Sequence, residues 1–298
     1  MVAMPRRVTF LVAFWTFCLG SCLQAYTQDS SRDSEPEPCN APIATRDDNS
    51  PYVDVSIAEI SFWGAGIQMP ATEQNEIAAT VRNVVHGNSI ENVVDDTLER
   101  VREEWQDRGY AQVRVTGEAR TSSSNAVSQN ISISVHVEDG FQYRLGEITF
   151  KNNKLITNVE ALRSLFPIKD GDLFKRAAIA KGLESLKRAY ANQGFVNFNS
   201  VPEPKFDDSS KLIFLNIDVD EGKQFYLGNM RLQGLSDVQR HKVLDSFLLK
   251  RGDVFNESLL RRSLEREKFP DCSCDGIQRH LDEKKGTIDI SLDFRPCN

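Results

Sequence analysis

The 298-residue sequence has little of what enzymes use for chemistry: four His, six Cys, four Met and three Trp. His86, His136, His241 and His280 fall in different segments, beside charges or on the outward side of a strand, and read as surface residues. No G-x-S-x-G, H-E-x-x-H or P-loop occurs, and Gly64-Ala65-Gly66 has no third glycine to complete a dinucleotide fingerprint. The acid pairs Asp95-Asp96 and Glu103-Glu104 sit on the polar side of a helical pattern, where solvent accounts for them. No catalytic residue, metal site or cofactor is expected. A basic excess is also lacking: the net charge is -7, which argues against a nucleic-acid partner, because phosphate contacts need Lys and Arg. No apolar segment reaches the ~20 residues of a membrane-spanning helix.

What is present begins with an export signal. Arg6 and Arg7 precede the uncharged run Val8 to Leu19, followed by small residues. Residues 1–25 are assigned to this signal, with two competing ends. Leu19-Gly20-Ser21-Cys22 resembles a lipobox, which would make Cys22 an acylated first residue; Leu23-Gln24-Ala25 resembles an ordinary cleavage site. A retained anchor is the third reading. Residues 26–50 are polar and lack apolar periodicity, so they read as a flexible linker.

The rest of the chain repeats. Leu145-Gly146-Glu147-Ile148-Thr149-Phe150 returns as Leu227-Gly228-Asn229-Met230-Arg231-Leu232. Lys169-Asp170-Gly171-Asp172-Leu173-Phe174 returns as Lys250-Arg251-Gly252-Asp253-Val254-Phe255. Gly109-Tyr110 returns as Gly194-Phe195, and Val137-Glu138-Asp139-Gly140 as Val219-Asp220-Glu221-Gly222. The common spacing defines units of domain size at 51–140, 141–222 and 223–298.

Each unit opens with a short alternating strand, such as Ile148 and Phe150. Thr157-Asn158-Val159-Glu160 and Ser236-Asp237-Val238-Gln239 then fit capping boxes that open a first helix. A second helix buries one stripe, Val94, Leu98, Val101 and Trp105, or Ile179, Leu183, Leu186 and Tyr190, and ends at Gly109 or Gly194. Two strands close the unit. In the second unit, Val196, Asn197, Phe198 and Asn199 are expected to form an edge strand, with Pro202 and Pro204 just beyond it. The fold class is α+β: three tandem β-α-α-β-β domains, each a small mixed three-stranded sheet covered on one face by two helices.

These landmarks, in this order, closely resemble the POTRA (polypeptide-transport-associated) domain of the outer-membrane barrel-assembly family and of two-partner secretion transporters. The first unit departs from the pattern at Gly87-Asn88-Ser89-Ile90, and the third at Pro270-Asp271-Cys272-Ser273-Cys274. The resemblance runs to Phe294 and only Arg295 to Asn298 remain after it, so no barrel is expected within this sequence. The resemblance implies an exported, periplasmic, non-enzymatic interaction protein associated with the outer membrane. Its partners would be unfolded or extended outer-membrane protein clients, or a separate outer-membrane barrel or lipoprotein. Edge-strand addition would supply the binding, and an acyl anchor at Cys22 the membrane contact. A structural envelope or septum scaffold, and the orphan N-terminal part of a barrel transporter, are the alternatives.

Cys39, Cys272, Cys274 and Cys297 remain in the exported part, where disulfides, free thiols and a zinc site are all conceivable and an oxidising compartment favours disulfides. A hairpin turning at Asp282 to Gly286 sets Leu281 opposite Ile288 and Ile277 opposite Leu292. The same register sets Cys272 opposite Cys297, with Cys274 as the competing partner after a slip of two. Two outcomes follow. Mass spectrometry of the mature protein finds an acylated Cys22 as its first residue, rather than a free Tyr26. Non-reducing peptide mapping of protein from an oxidising compartment recovers Cys272 joined to Cys297, and a free Cys297 thiol refutes the pairing.

Overall fold

The computed structural model describes residues 53–125, 127–266 and 277–295. Nine strands and six helices occur among them. The first unit comprises β1 (Asp54–Trp63), α1 (Ala71–Val84), α2 (Ile90–Gln106), β2 (Arg114–Ser124) and β3 (Ser128–Glu138). The second comprises β4 (Arg144–Lys151), α3 (Val159–Arg163), α4 (Arg176–Ala191), β5 (Asn199–Asp207) and β6 (Leu212–Asp220). The third comprises β7 (Tyr226–Gln233), α5 (Asp237–Ser246), α6 (Glu257–Arg266), β8 (Ile277–Asp282) and β9 (Thr287–Asp293). None of the described helices is long and apolar enough to cross a membrane.

Topology follows from connection length. Two helices separate the first strand from the rest of its unit, and that long crossover returns the chain parallel; a tight turn makes the last two strands antiparallel. The sheet orders are accordingly β1-β3-β2, β4-β6-β5 and β7-β9-β8. The last strand of each unit is central and carries the cleanest alternation: Ile213, Leu215, Ile217 and Val219 of β6 are all buried. They pack against Leu162 of α3 and Ile179, Leu186 and Tyr190 of α4. Trp105, Ile77 and Ile133 occupy the corresponding core of the first unit, and Phe247, Leu260 and Ile290 that of the third.

Local chemistry bears out one capping box and moves the other. Ser236 and Gln239 cap each other's backbone as expected. In the second unit the cap is Asn158, whose side chain accepts from Ala161 N at 3.1 Å, so Thr157 lies one residue outside the helix. Asn is as good an N-cap as Ser, and the five-residue α3 starts where it can use it. A feature without a sequence signature is Gly182 inside α4. A Cβ there would stand 2.0 Å from the Phe166 ring, so the bare backbone is what lets that ring pack.

The acid of the closing Val-x-Asp/Glu-Gly landmark is a clamp. Asp139 Oδ2 accepts from Gln68 N at 2.7 Å and Met69 N at 3.3 Å, fixing the loop before α1. Glu221 Oε1 accepts from Leu155 N at 2.6 Å and the Tyr190 hydroxyl at 3.2 Å. Burial first, and the Glu221 charge second, push the Tyr190 phenol up to about 12.

The pairing of β8 with β9 sets Leu281 opposite Ile288 and Ile277 opposite Leu292, the expected register, although Ile277 is exposed. Cys272, Cys274 and Cys297 lie outside the described residues, as do Cys22, Cys39, the signal and the linker.

Consecutive units are joined by one clasp, used twice. Tyr143 N donates to Gly109 O at 2.8 Å, and Phe225 N to Gly194 O at 2.9 Å. Gln142 Nε2 donates to Arg108 O and Gln224 Nε2 to Gln193 O, both at 2.9 Å. Asp107 Oδ1 accepts from Ala177 N at 2.7 Å, and Asn192 Oδ1 from Ser258 N at 3.1 Å. The residue that ends one unit's second helix therefore caps the start of the next unit's. The acceptor of this cap comes from outside α4, whose own N-cap residue, Lys175, makes no side-chain cap bond. Asp107→Ala is expected to cost about 1 kcal/mol of stability. Hydrogen exchange will show the faster opening in the first turn of α4, in the second unit, although the substitution is in the first.

Candidate strand-docking edge

Each sheet has two outer strands, and their unpaired amides and carbonyls form regular main-chain hydrogen-bonding surfaces that the described fold leaves open. The expected edge at Val196, Asn197, Phe198 and Asn199 is not where the strand lies. Val196, Asn197 and Phe198 form the turn before β5, and only Asn199 belongs to the strand. Val196 packs against the core of the third unit, Phe198 is buried in the second, and Asn197 Nδ2 donates to Glu283 Oε1 at 2.9 Å. The alternation of Val196 and Phe198 thus reflects two different cores rather than one strand face.

Pro202 and Pro204 lie within β5, opposite Ile217 and Leu215. The hydrogen bond from Arg144 N to Lys211 O turns the odd-numbered carbonyls of β6 toward β4 and its even ones toward β5. The unbroken register then turns the odd residues of β5 toward β6. Both prolines therefore occupy outward slots, where the missing N–H does not interrupt the ladder. The outer edge of β5 retains the amides of Ser200 and Phe206 but has no donor between them.

The first strands are guarded differently. Leu145 N donates to Asp172 O at 2.8 Å and Gly171 N to Leu145 O at 2.7 Å, so the Gly-Asp turn covers the outer edge where β4 begins. Leu227 with Gly252 and Asp253 repeats this at β7, and Val55 with Gly87 at β1. A register shift follows in each strand, at Ile57/Glu59, Leu145/Ile148 and Leu227/Met230. Such irregularities twist an edge out of use.

β2 has no covering turn, and its one register shift comes late, at Thr121/Ser123. It is 11 residues long, against six in β8, and contains no proline. Asp54 N donates to Val127 O and Asn125 N to Ser128 O, which turns the even residues of β3 toward β2. Arg114, Thr116, Glu118 and Arg120 face β3, and Val115, Gly117, Ala119 and Thr121 present their amides outward, up to the shift at Thr121/Ser123. Among the described residues, no main-chain group pairs with that row. Gly117 and Ala119 stand 85 residues before Pro202 and Pro204, the same offset as Gly109 to Gly194, so the open and the blocked edges are equivalent positions of the repeat. Above this edge lies α2. Leu98 reaches to within 2.9 Å of where a Gly117 Cβ would be.

The helix-free faces of the sheets are less inviting. On the second, Lys151 sits 2.9 Å from Glu203 and 3.3 Å from Asp218. Asn216 Nδ2 donates to Glu203 at 2.9 Å and Asn152 Nδ2 to Asp218 at 2.7 Å. The bond from Lys151 holds the Glu203 carboxyl below the usual carboxylate range, and that from Asn152 does the same for Asp218. A face whose polar groups already satisfy one another has little to offer a partner. No group of His, Cys, Asp and Glu among the described residues is arranged to hold a metal.

Comparison with known proteins fits this geometry. The POTRA family, described as "Surface antigen variable number repeat", matches residues 143–222. A putative outer membrane protein assembly factor of Treponema pallidum (strain Nichols) is 27% identical over 176 residues, covering 58% of this chain and 21% of that protein. The outer membrane protein assembly factor BamA of Buchnera aphidicola is 22% identical over 144 residues, covering 47% of this chain and 23% of its own length. The chain thus spans about a fifth of the curated relatives it matches. Among solved structures, Haemophilus influenzae BamA POTRA3-5 superposes with a TM-score of 0.61 at 18% identity, over 82% of this chain and 97% of that one. Residues 143–222 match the POTRA family, and the described chain shares the fold of three POTRA domains in tandem.

Proposed function

We propose that this chain is an exported docking module of an outer-membrane protein assembly or transport machine, working in the periplasm beside the outer membrane. The β2 edge takes an extended polypeptide as an added strand. The occupant is a client of that machine or a segment of a partner protein such as a separate barrel or a lipoprotein. The relatives' roles and the fold support the setting. The observation that carries the mechanism is the contrast between equivalent edges: β5 has Pro202 and Pro204 in its outward slots, and β2 has Gly117 and Ala119. Main-chain pairing reads backbone rather than side chains, which suits partners of varied sequence. A rigid spacer would need the clasps between units, but it would have no use for an unguarded edge.

The test copies one edge onto the other. Ala119→Pro removes an outward donor and leaves the β3 ladder intact, as Pro204 does in β5. A labelled nine-residue peptide of alternating apolar and polar residues, presented to the full mature chain, is expected to lose at least about tenfold in affinity, with the thermal transition little changed. Pro202→Val/Pro204→Val should create a second binding edge. Unchanged affinity for Ala119→Pro overturns the reading.

A further inference from the structure

The charge of the chain is unevenly placed. Residues 53–140 hold 14 Asp or Glu, six Arg and no Lys, whereas residues 141–222 hold 12 basic against 11 acidic residues. The acidic excess of the first unit gathers on α2, the helix above the open edge. α2 runs antiparallel to β2: Gly87, just before the helix, bridges Val55, which shares Gln129 with Ser124 at the far end of β2. Leu98 marks the flank of α2 that overlies Gly117. Asp95 and Glu91, three and seven residues earlier, fall on that same flank. They stand above the half of β2 that contains Ala119 and Thr121.

Both acids are exposed, and neither forms an ion pair among the described residues. Their neighbour Glu99 differs, being bonded to Arg102. Val94 and Leu98 supply an apolar strip below them, packed on the first core and only partly buried. On the helix-free side of β2, Glu118 alternates with Arg114 and Arg120, so that side has no single-sign preference.

A strand added beside β2 would place alternate side chains on the helix side, between the edge and this flank. The strip and the two acids fit one kind of side chain: a long aliphatic stem ending in a cation. We infer that the polypeptide accepted by β2 carries Lys or Arg at alternate positions on its helix-facing side. The stems lie along Val94 and Leu98, and the charges pair with Asp95 and Glu91. The surplus negative charge of the whole first unit steers such segments to this edge. This selectivity rests on the strand-addition reading and is separable from it.

Three nine-residue peptides of one alternating pattern, with Lys, Gln or Glu at every second position, are titrated against the full mature chain by fluorescence anisotropy. The Lys peptide is expected to bind about fivefold tighter than the Gln peptide at low salt, and the Glu peptide more weakly than either. Glu91→Gln/Asp95→Asn should bring the Lys peptide to the affinity of the Gln peptide, leave the Gln peptide unchanged, and leave the circular dichroism spectrum unchanged. Equal binding of all three peptides, each still lost in Ala119→Pro, overturns the charge selectivity while strand addition stands. A Lys preference that survives Glu91→Gln/Asp95→Asn also overturns it. Binding of none of the peptides overturns both.

Discussion

A sheet of three strands cannot close on itself, so each unit leaves two rows of main-chain donors and acceptors facing outward. Every notable feature of this chain answers that constraint. The Gly-Asp turn that recurs through the sequence covers the start of β4 and β7, and Gly87 does so for β1. Register shifts follow in all three first strands. Pro202 and Pro204 strip the donors from β5. Among the described residues, one long edge has neither a covering turn nor a proline, in the unit that also carries the acidic excess. A protein that blocks these positions with proline in β5 and leaves them open in β2 has a surface set apart from its repeats.

The clasp between units is a second use of the same main-chain groups. Gly109 and Gly194 take positive φ, 89° and 85°, to end their helices. In doing so they turn their carbonyls toward the next unit, where Tyr143 and Phe225 donate to them. A Cβ on Gly194 would stand 2.6 Å from Phe225 O, so helix termination and inter-unit docking require the same bare backbone. That double duty is the physical reason a Gly-aromatic pair recurs at this place. The pair reads in sequence as a cap only, because its second partner is more than thirty residues away.

Much of the architecture was legible in sequence for reasons that stay local. The buried stripe of α4 and the alternation of β6 are periodicities of one element packed on one core, and the structure keeps them. The edge at 196–199 failed because periodicity carries no label for which core a side chain enters. Val196 belongs to the third unit's core and Phe198 to the second's. Placing Pro202 and Pro204 beyond the strand failed for a related reason: on an outer strand, alternate amides point away from the sheet, and proline there costs no ladder bond. Whether such a slot faces in or out depends on pairing with β6 and was invisible without it. Gly182 left no signal at all, since its partner Phe166 lies in the loop after α3 and the need is for absent atoms.

Ala111 precedes the nominal start of the second unit by thirty residues, yet its side chain is buried in that unit's core. Asp107 likewise caps a helix of that unit, and Val196 and Asn192 stand in the same relation to the third. Sequence periodicity places the seams at Gly140 and Gly222, whereas the physical seams are staggered, each unit lending a short segment to its successor. Recombination at the sequence seam would leave the downstream module with a hole in its core and an uncapped helix. Exchange that preserves folding has to keep the segment around Asp107 and Ala111 matched to the module that follows. The unit that folds is therefore staggered against the unit that repeats.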